Sequence, residues 1–138
     1  MKKSLKLTLV LPKIPDIELL AMRALEQLAE YYEIPEEKIG EARIILTEAI
    51  INAFEHSGSL REEIRVVLKA QRDKIEFTVK DYGHGFDPGM VEDPEISAKL
   101  NSSHKRGWGL KLMRSMADEL SINSTARGTA ITIVKRMI

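Results

Sequence analysis

The chain has 138 residues, 43% of them apolar and 30% charged, which fits one ordinary globular domain with material for a core and excludes a disordered tail. Its 21 basic and 21 acidic residues cancel, so composition carries no electrostatic footprint for nucleic acid or an anionic membrane. Cysteine is absent, which excludes disulfide frameworks, thiolate zinc sites and thiol nucleophiles and points to a reducing compartment.

The basic start Met1-Lys2-Lys3 leads into an apolar run that Lys6 and Thr8 interrupt, with no small-residue cleavage site after it. From Leu5 to Leu11 the alternation predicts a half-buried strand, stopped by Pro12. No stretch approaches the roughly 20 apolar residues of a membrane span, so a soluble, cytoplasmic protein is expected.

Pro15-Asp16 opens a segment in which Ile17, Leu20, Ala21, Ala24, Leu25 and Leu28 recur every three or four residues, predicting an amphipathic helix that ends near Tyr31-Tyr32. Pro35-Glu36-Glu37 then places proline and acids in a first helical turn. The apolar pattern runs on through Ile39, Ala42, Ile45, Leu46, Ala49, Ile50, Ala53 and Phe54 to a stop at Ser57-Gly58-Ser59.

Two alternating runs, Ile64-Val66-Leu68 and Ile75-Phe77-Val79, flank Gln71-Arg72-Asp73 and predict an antiparallel hairpin. The polar, aperiodic stretch from Met90 to Arg106 reads as a long loop. Gly107-Trp108-Gly109 precedes a third helical pattern, Leu110, Leu112, Met113, Met116 and Leu120. Two last strands, Leu120 to Ser124 and Ala130 to Met137, turn at Arg127-Gly128. Elements grouped in this way predict one domain over 1–138, a two-layer α/β (α+β) sandwich whose mixed, mostly antiparallel sheet is covered by helices on one face.

Four features carry chemistry. In the second helix Glu48, Asn52 and His56 lie four apart on one stripe of an otherwise apolar segment. The stripe reads either as the solvated edge of an amphipathic helix or as a site. A carboxylate and an amide one turn apart suit a magnesium-nucleotide centre, the amide oxygen as a hard ligand and the carboxylate as a base.

Asp81-x-Gly83-x-Gly85 ends a strand, where glycines let a ligand approach the backbone, although an ordinary turn has the same composition. Neither G-x-G-x-x-G nor G-x-x-x-x-G-K-[ST] occurs, which disfavours Rossmann and P-loop enzymes. Gly107 and Gly109 at a helix start offer backbone N–H groups to an anion, with Lys105 and Arg106 adding positive charge beside them. Gly128-Thr129 opens the last strand and alone reads as a hairpin turn.

In order and context these four resemble the GHKL ATPase superfamily, which includes gyrase B and histidine-kinase ATPase domains, and within it the small bacterial anti-sigma-factor serine/threonine kinases. The segment Glu48-Ala49-Ile50-Ile51-Asn52-Ala53-Phe54-Glu55-His56 is similar to the family's N box. The resemblance implies a Bergerat-type ATP-binding fold, with Glu48 as general base and Asn52 as magnesium ligand; no catalytic role is assigned to His56.

Asp81-Tyr82-Gly83-His84-Gly85 resembles the first glycine box, which implies that Asp81 accepts the adenine amino group while Gly83 and Gly85 shape the pocket. Arg106-Gly107-Trp108-Gly109-Leu110 resembles the second, in which Lys105, Arg106, Gly107, Gly109 and Leu110 close on the phosphates. Gly128-Thr129 resembles the third, with the Thr129 hydroxyl near adenine, and residues 89–106 become the ATP lid.

The resemblance further implies ATP and magnesium as cofactors, an anti-anti-sigma (STAS-type) protein as phosphorylation substrate, and a sigma factor as the alternative partner. It also implies a homodimer through the strand around Leu5 to Leu11, with no direct nucleic-acid or membrane binding. With no phospho-accepting histidine helix pair, sensor or membrane span in the chain, a sensor histidine kinase is not expected. Three rivals stand beside this reading: a nucleotide-holding module that sequesters a regulator without phosphotransfer, a switch kinase of a stress-signalling complex, and a metal hydrolase on His56, His84 and His104. The last lacks any recognisable ligand spacing.

Overall fold

The computed structural model describes residues 3–56, 63–83 and 104–137. The alternating N-terminal run forms strand β1 (Leu5–Pro12), and the first helical pattern forms α1 (Glu18–Tyr32). Helix α2 (Glu36–His56) follows, then the hairpin of β2 (Glu63–Ala70) and β3 (Lys74–Lys80). Helix α3 (His104–Met116) and the hairpin of β4 (Glu119–Thr125) and β5 (Gly128–Arg136) complete the order.

The five strands form one sheet in the order β1-β2-β3-β5-β4, and every described pairing is antiparallel. The expected parallel component is therefore not present among the described residues. Pro12 does not stop the first ladder early, because it is the last paired residue of the edge strand, opposite Glu63, where a missing N–H does little harm.

Strand alternation decides which face is buried. Ile64, Val66 and Leu68 of β2, Ile75, Phe77 and Val79 of β3, and Ile131 and Ile133 of β5 turn to one side and lie in the core. The helices meet them with Ala21, Leu25 and Leu28 of α1, Ile39, Ile45, Leu46 and Ile50 of α2, and Leu110 and Met113 of α3. Phe77, fully buried on a central strand, contributes about 1.5–3 kcal/mol through burial of its ring. No helix among the described residues is long and apolar enough to cross a membrane.

Helix α2 packs against α1, α3 and the three inner strands and is the axis of the helical layer. A polar bolt sets its position. Lys135 of β5, buried in the core face, donates from Nζ to Glu41 Oε2 at 2.6 Å and to the Met116 carbonyl at 2.7 Å. The bolt ties α2 and the C-terminal end of α3 to the same strand, where a cation also meets the negative end of the α3 dipole. The ammonium holds the Glu41 carboxyl below its usual range. At the other end of the layer, Tyr32 donates its hydroxyl to the carbonyls of Lys3 and Ala70, tying the end of α1 to the segment before β1 and to the end of β2.

Helix α3 differs from expectation at both ends. It starts at His104, so Gly107 and Gly109 lie inside it rather than before it, and its last turn stops at Met116, leaving Leu120 to β4. The helix therefore includes residues 104–106, the end of the expected lid; lid residues 89–103 lie outside the described residues, as do Ser57-Gly58-Ser59.

Candidate functional site

Two groups of predicted residues come together on the helix-covered side of the sheet. The first is built on the strand ends. Asp81 continues the inward parity of Ile75, Phe77 and Val79, so the chain delivers a carboxylate to the edge of the core, where it is 5% exposed. Such a group must be hydrogen-bonded to be tolerated.

Gly83 donates its N–H to Asp81 Oδ1 at 2.9 Å, and Thr129 donates its N–H to the same oxygen at 3.3 Å. The Asp81 N–H in turn donates to the Thr129 carbonyl at 2.9 Å, carrying the β3–β5 ladder one step past the strand. Among the described residues no hydrogen bond falls on Oδ2. Burial pushes the Asp81 carboxyl above the ordinary range, and the N–H groups of Gly83 and Thr129 pull it part of the way back.

The Thr129 side chain is buried too, and its hydroxyl shares a 2.8 Å hydrogen bond with Ser124 across the β4–β5 hairpin. Gly128 makes this arrangement possible. Its φ is +137°, and a Cβ there would stand 2.2 Å from the Asp81 carbonyl oxygen and 3.0 Å from the Tyr82 Cα. Only glycine lets β5 start this close to the Asp81 backbone.

The sequence motif Gly128-Thr129 included this glycine but assigned it no role of its own, and Ser124 was not among the predicted site residues. For Ser124 the only signal was its parity with Leu120 and Ile122.

The second group joins α2 to α3. Glu48 is half-buried, and its Oε2 lies 3.4 Å from the point where a Cβ on Gly109 would sit. The absence of a side chain at Gly109 thus leaves room for the carboxylate against α3. One turn along α2, Asn52 is 6% exposed, and its amide makes no hydrogen bond to any described residue. A buried amide that the described residues leave unbonded is the kind of group that a ligand satisfies.

Because α3 begins three residues before Gly107, the N–H groups without intrahelical partners belong to its first turn, and Gly109 lies past them. Leu110 is buried in the apolar core. The side chains of Lys105, Arg106 and His56, and all of Gly85, lie outside the described residues.

The geometry thus offers an acceptor carboxylate held by two N–H groups in one place. In the other it offers, on one helical stripe, a carboxylate and an amide that no described residue hydrogen-bonds. The sequence profile of the histidine kinase-like ATPase domain matches residues 15–135, which includes every residue of both groups. The chain belongs to this family.

Curated relatives of this histidine kinase-like ATPase domain include the serine-protein kinase RsbW of Listeria innocua serovar 6a, 28% identical over 123 residues that cover 85% of this chain and 78% of the relative. The serine-protein kinase RsbW of Oceanobacillus iheyensis is also 28% identical, over 122 residues covering 82% of this chain and 75% of that one. Among solved structures, the blue-light activated histidine kinase of Erythrobacter litoralis EL346 superposes with a TM-score of 0.57 at 17% identity. That match covers 86% of this chain and 41% of the kinase, and it shows the shared two-layer fold. Membership in an ATPase family makes ATP the nucleotide to test against the Asp81 and Glu48 groups.

Proposed function

We propose that this protein is a cytoplasmic, ATP-dependent serine/threonine protein kinase that phosphorylates an anti-anti-sigma (STAS-type) partner and, when that partner is unavailable, binds a sigma factor. The observation that carries the reading is the Glu48 carboxylate lodged over Gly109, with the buried Asn52 amide, which has no hydrogen bond to a described residue, one turn along the same stripe. Similarity to proteins named serine-protein kinase RsbW supports serine as the acceptor class.

Asp81 accepts the exocyclic amine of adenine on Oδ2, the oxygen that bears no hydrogen bond from the described residues, and so discriminates against the carbonyl of guanine. The Thr129 hydroxyl, held by Ser124, faces the same base. A magnesium ion fits the Asn52 amide oxygen, a hard donor with no protein partner among the described residues, and when bound it neutralises charge on the phosphates. The role assigned to Lys105, Arg106 and the first-turn N–H groups of α3 is to meet the phosphate chain with positive charge and backbone donors.

Transfer is then chiefly positioning. The substrate hydroxyl oxygen forms a bond to the γ-phosphorus, the bond from that phosphorus to the bridging oxygen of ADP breaks, and the hydroxyl proton passes to Glu48. The product gains about 1.5 to 2 negative charges, enough to expel it from an interface and free the kinase for its other partner. The 41% and 37% exposure of Leu5 and Leu7 on the edge strand supports a homodimer that covers β1.

The test is transfer of labelled γ-phosphate to a STAS-type partner protein. Wild type labels a serine or threonine of the partner, and Glu48→Gln binds ATP equally well but loses at least about 100-fold in rate. ATP binding with no transfer to any partner would leave a nucleotide-holding module instead.

A further inference from the structure

The three described helices pack on one face of the sheet, and the opposite face is bare of described elements. Strand register places its side chains in rows. One row runs Thr8, Val67, Thr78, Thr132 and Ser121 straight across five strands, and the Thr78 and Thr132 hydroxyls bond each other at 3.3 Å. With those hydroxyls paired, this row presents a nearly flush strip of methyl groups and small polar atoms.

Charge is concentrated on either side of the strip. By strand parity the bare face carries six cations, Lys6, Arg65, Lys69, Lys74, Lys80 and Arg136, against three anions, Glu63, Glu76 and Glu119. The chain as a whole has equal numbers of each sign, so the positive excess of this face is a segregation that composition conceals. Lys6 and Lys69 stand side by side, and Lys69 is shared with Glu76 at a loose 3.8 Å. Three cations, Lys6, Lys69 and Lys74, and one anion, Glu76, line a cavity of about 280 Å³ at the corner of this face, at the opposite end of β3 from Asp81.

We propose that the bare face of the sheet is a docking surface for an acidic polypeptide segment, with carboxylates on the flanking cations and an acidic side chain seated in the corner cavity. Charge complementarity selects this occupant. A second copy of the same face would bring two positive surfaces together, which costs rather than gains. A flat strip of β-branched and hydroxyl side chains with charges along its borders matches the dry centre and charged rim of a polar protein interface. The surface lies away from Glu48, Asn52, Asp81 and Thr129, so it stands or falls independently of the nucleotide site.

The probe is a synthetic peptide of alternating glutamate and leucine, titrated into the isotope-labelled full chain and followed by NMR. Shifts are expected to gather on Lys6, Thr8, Val67, Lys69, Thr78 and Thr132, with affinity falling as salt rises. The double variant Lys6→Glu/Arg65→Glu should bind about ten-fold more weakly, and Glu76→Gln more tightly, both with unchanged ATP affinity. Shifts gathered elsewhere, or an unchanged affinity in the double variant, would overturn the proposal. So would anionic vesicles or duplex DNA that engage this face more tightly than the peptide, or a dimer that the double variant dissolves.

Discussion

The Asp81 end and the Glu48 end of the candidate site use the same kinds of polar group and treat them in opposite ways. At the first, folding itself completes the carboxylate: two N–H groups hold Asp81 Oδ1, the Thr129 hydroxyl is held by Ser124, and Gly128 lets the backbones meet. At the second, Glu48 and Asn52 have no hydrogen-bonding partner among the described residues, and Gly109 contributes only an absent side chain. A base-recognition surface must be rigid before the ligand arrives, whereas groups that meet phosphate, metal and a transferred proton are completed by them. Substitutions at the first end should therefore damage fold and binding together, and those at the second should separate them.

The largest effect is expected from Gly128→Ala. The new methyl would meet the Asp81 carbonyl at 2.2 Å, at a φ of +137° that an alanine rarely adopts. Both faults act on the native state alone, so destabilisation of about 3 kcal/mol or more is expected in denaturant unfolding, with loss of ATP binding. A variant that unfolds like wild type would show that the close approach is not needed, and the contrast between the two ends would collapse.

Asp81→Asn comes next and is the exception at this end, striking recognition more than fold because it keeps the acceptor for both N–H groups. The amide oxygen can still accept from Gly83 and Thr129, but an NH2 group then replaces Oδ2 and faces the adenine amine, donor against donor. ATP affinity should fall by about 10- to 100-fold in calorimetry, equivalent to roughly 1–3 kcal/mol for a frustrated hydrogen bond. Stability should respond to pH with a definite sign. The native carboxyl titrates above the unfolded one, so wild type has its full stability below the ordinary carboxylate range and loses some as pH rises through the native value. The variant carries no such group, and it should gain on wild type between about pH 4 and neutrality.

Legibility in the sequence divides along the same line as these effects. Period-two alternation was enough for β2 and β3 because each has one face in the core and one in water, it found β1 although only the Leu11 end of that strand is buried, and the 3.6-residue pattern of α2 placed Glu48 and Asn52 on one stripe. The start of α3 was not legible, since His104, Lys105 and Arg106 carry no apolar period and two glycines read as a break. Gly109 is inside the helix where the helix passes Glu48, a tertiary reason that no local propensity expresses. Ser124 was hidden for a similar reason, because its partner Thr129 is chosen by hairpin register rather than by local spacing.

Asn52→Ala sharpens the comparison from the other side. A buried amide without a described partner contributes little to the folded state, so the unfolding midpoint should stay level or rise, with a gain of up to about 1 kcal/mol. ATP binding should lose its dependence on magnesium at the same time. A loss of stability comparable to that of Gly128→Ala would mean that the amide has a structural partner, and the phosphate end would be no more open than the base end.

Gly109→Ala should give the smallest change and the one whose two readouts differ in sign. Within α3 an alanine is favoured over glycine by about 0.5–1 kcal/mol, because the unfolded chain has less freedom to lose. The added Cβ would lie 3.4 Å from Glu48 Oε2, an ordinary contact that strains nothing. The protein should therefore melt slightly higher. The same methyl narrows the space in which Glu48 must receive a substrate hydroxyl, so phosphotransfer should slow while ATP affinity holds. If rate and stability rise together, the gap over Gly109 serves helix packing alone. If the rate falls as stability climbs, glycine is kept there at the expense of the helix for the sake of the carboxylate beside it.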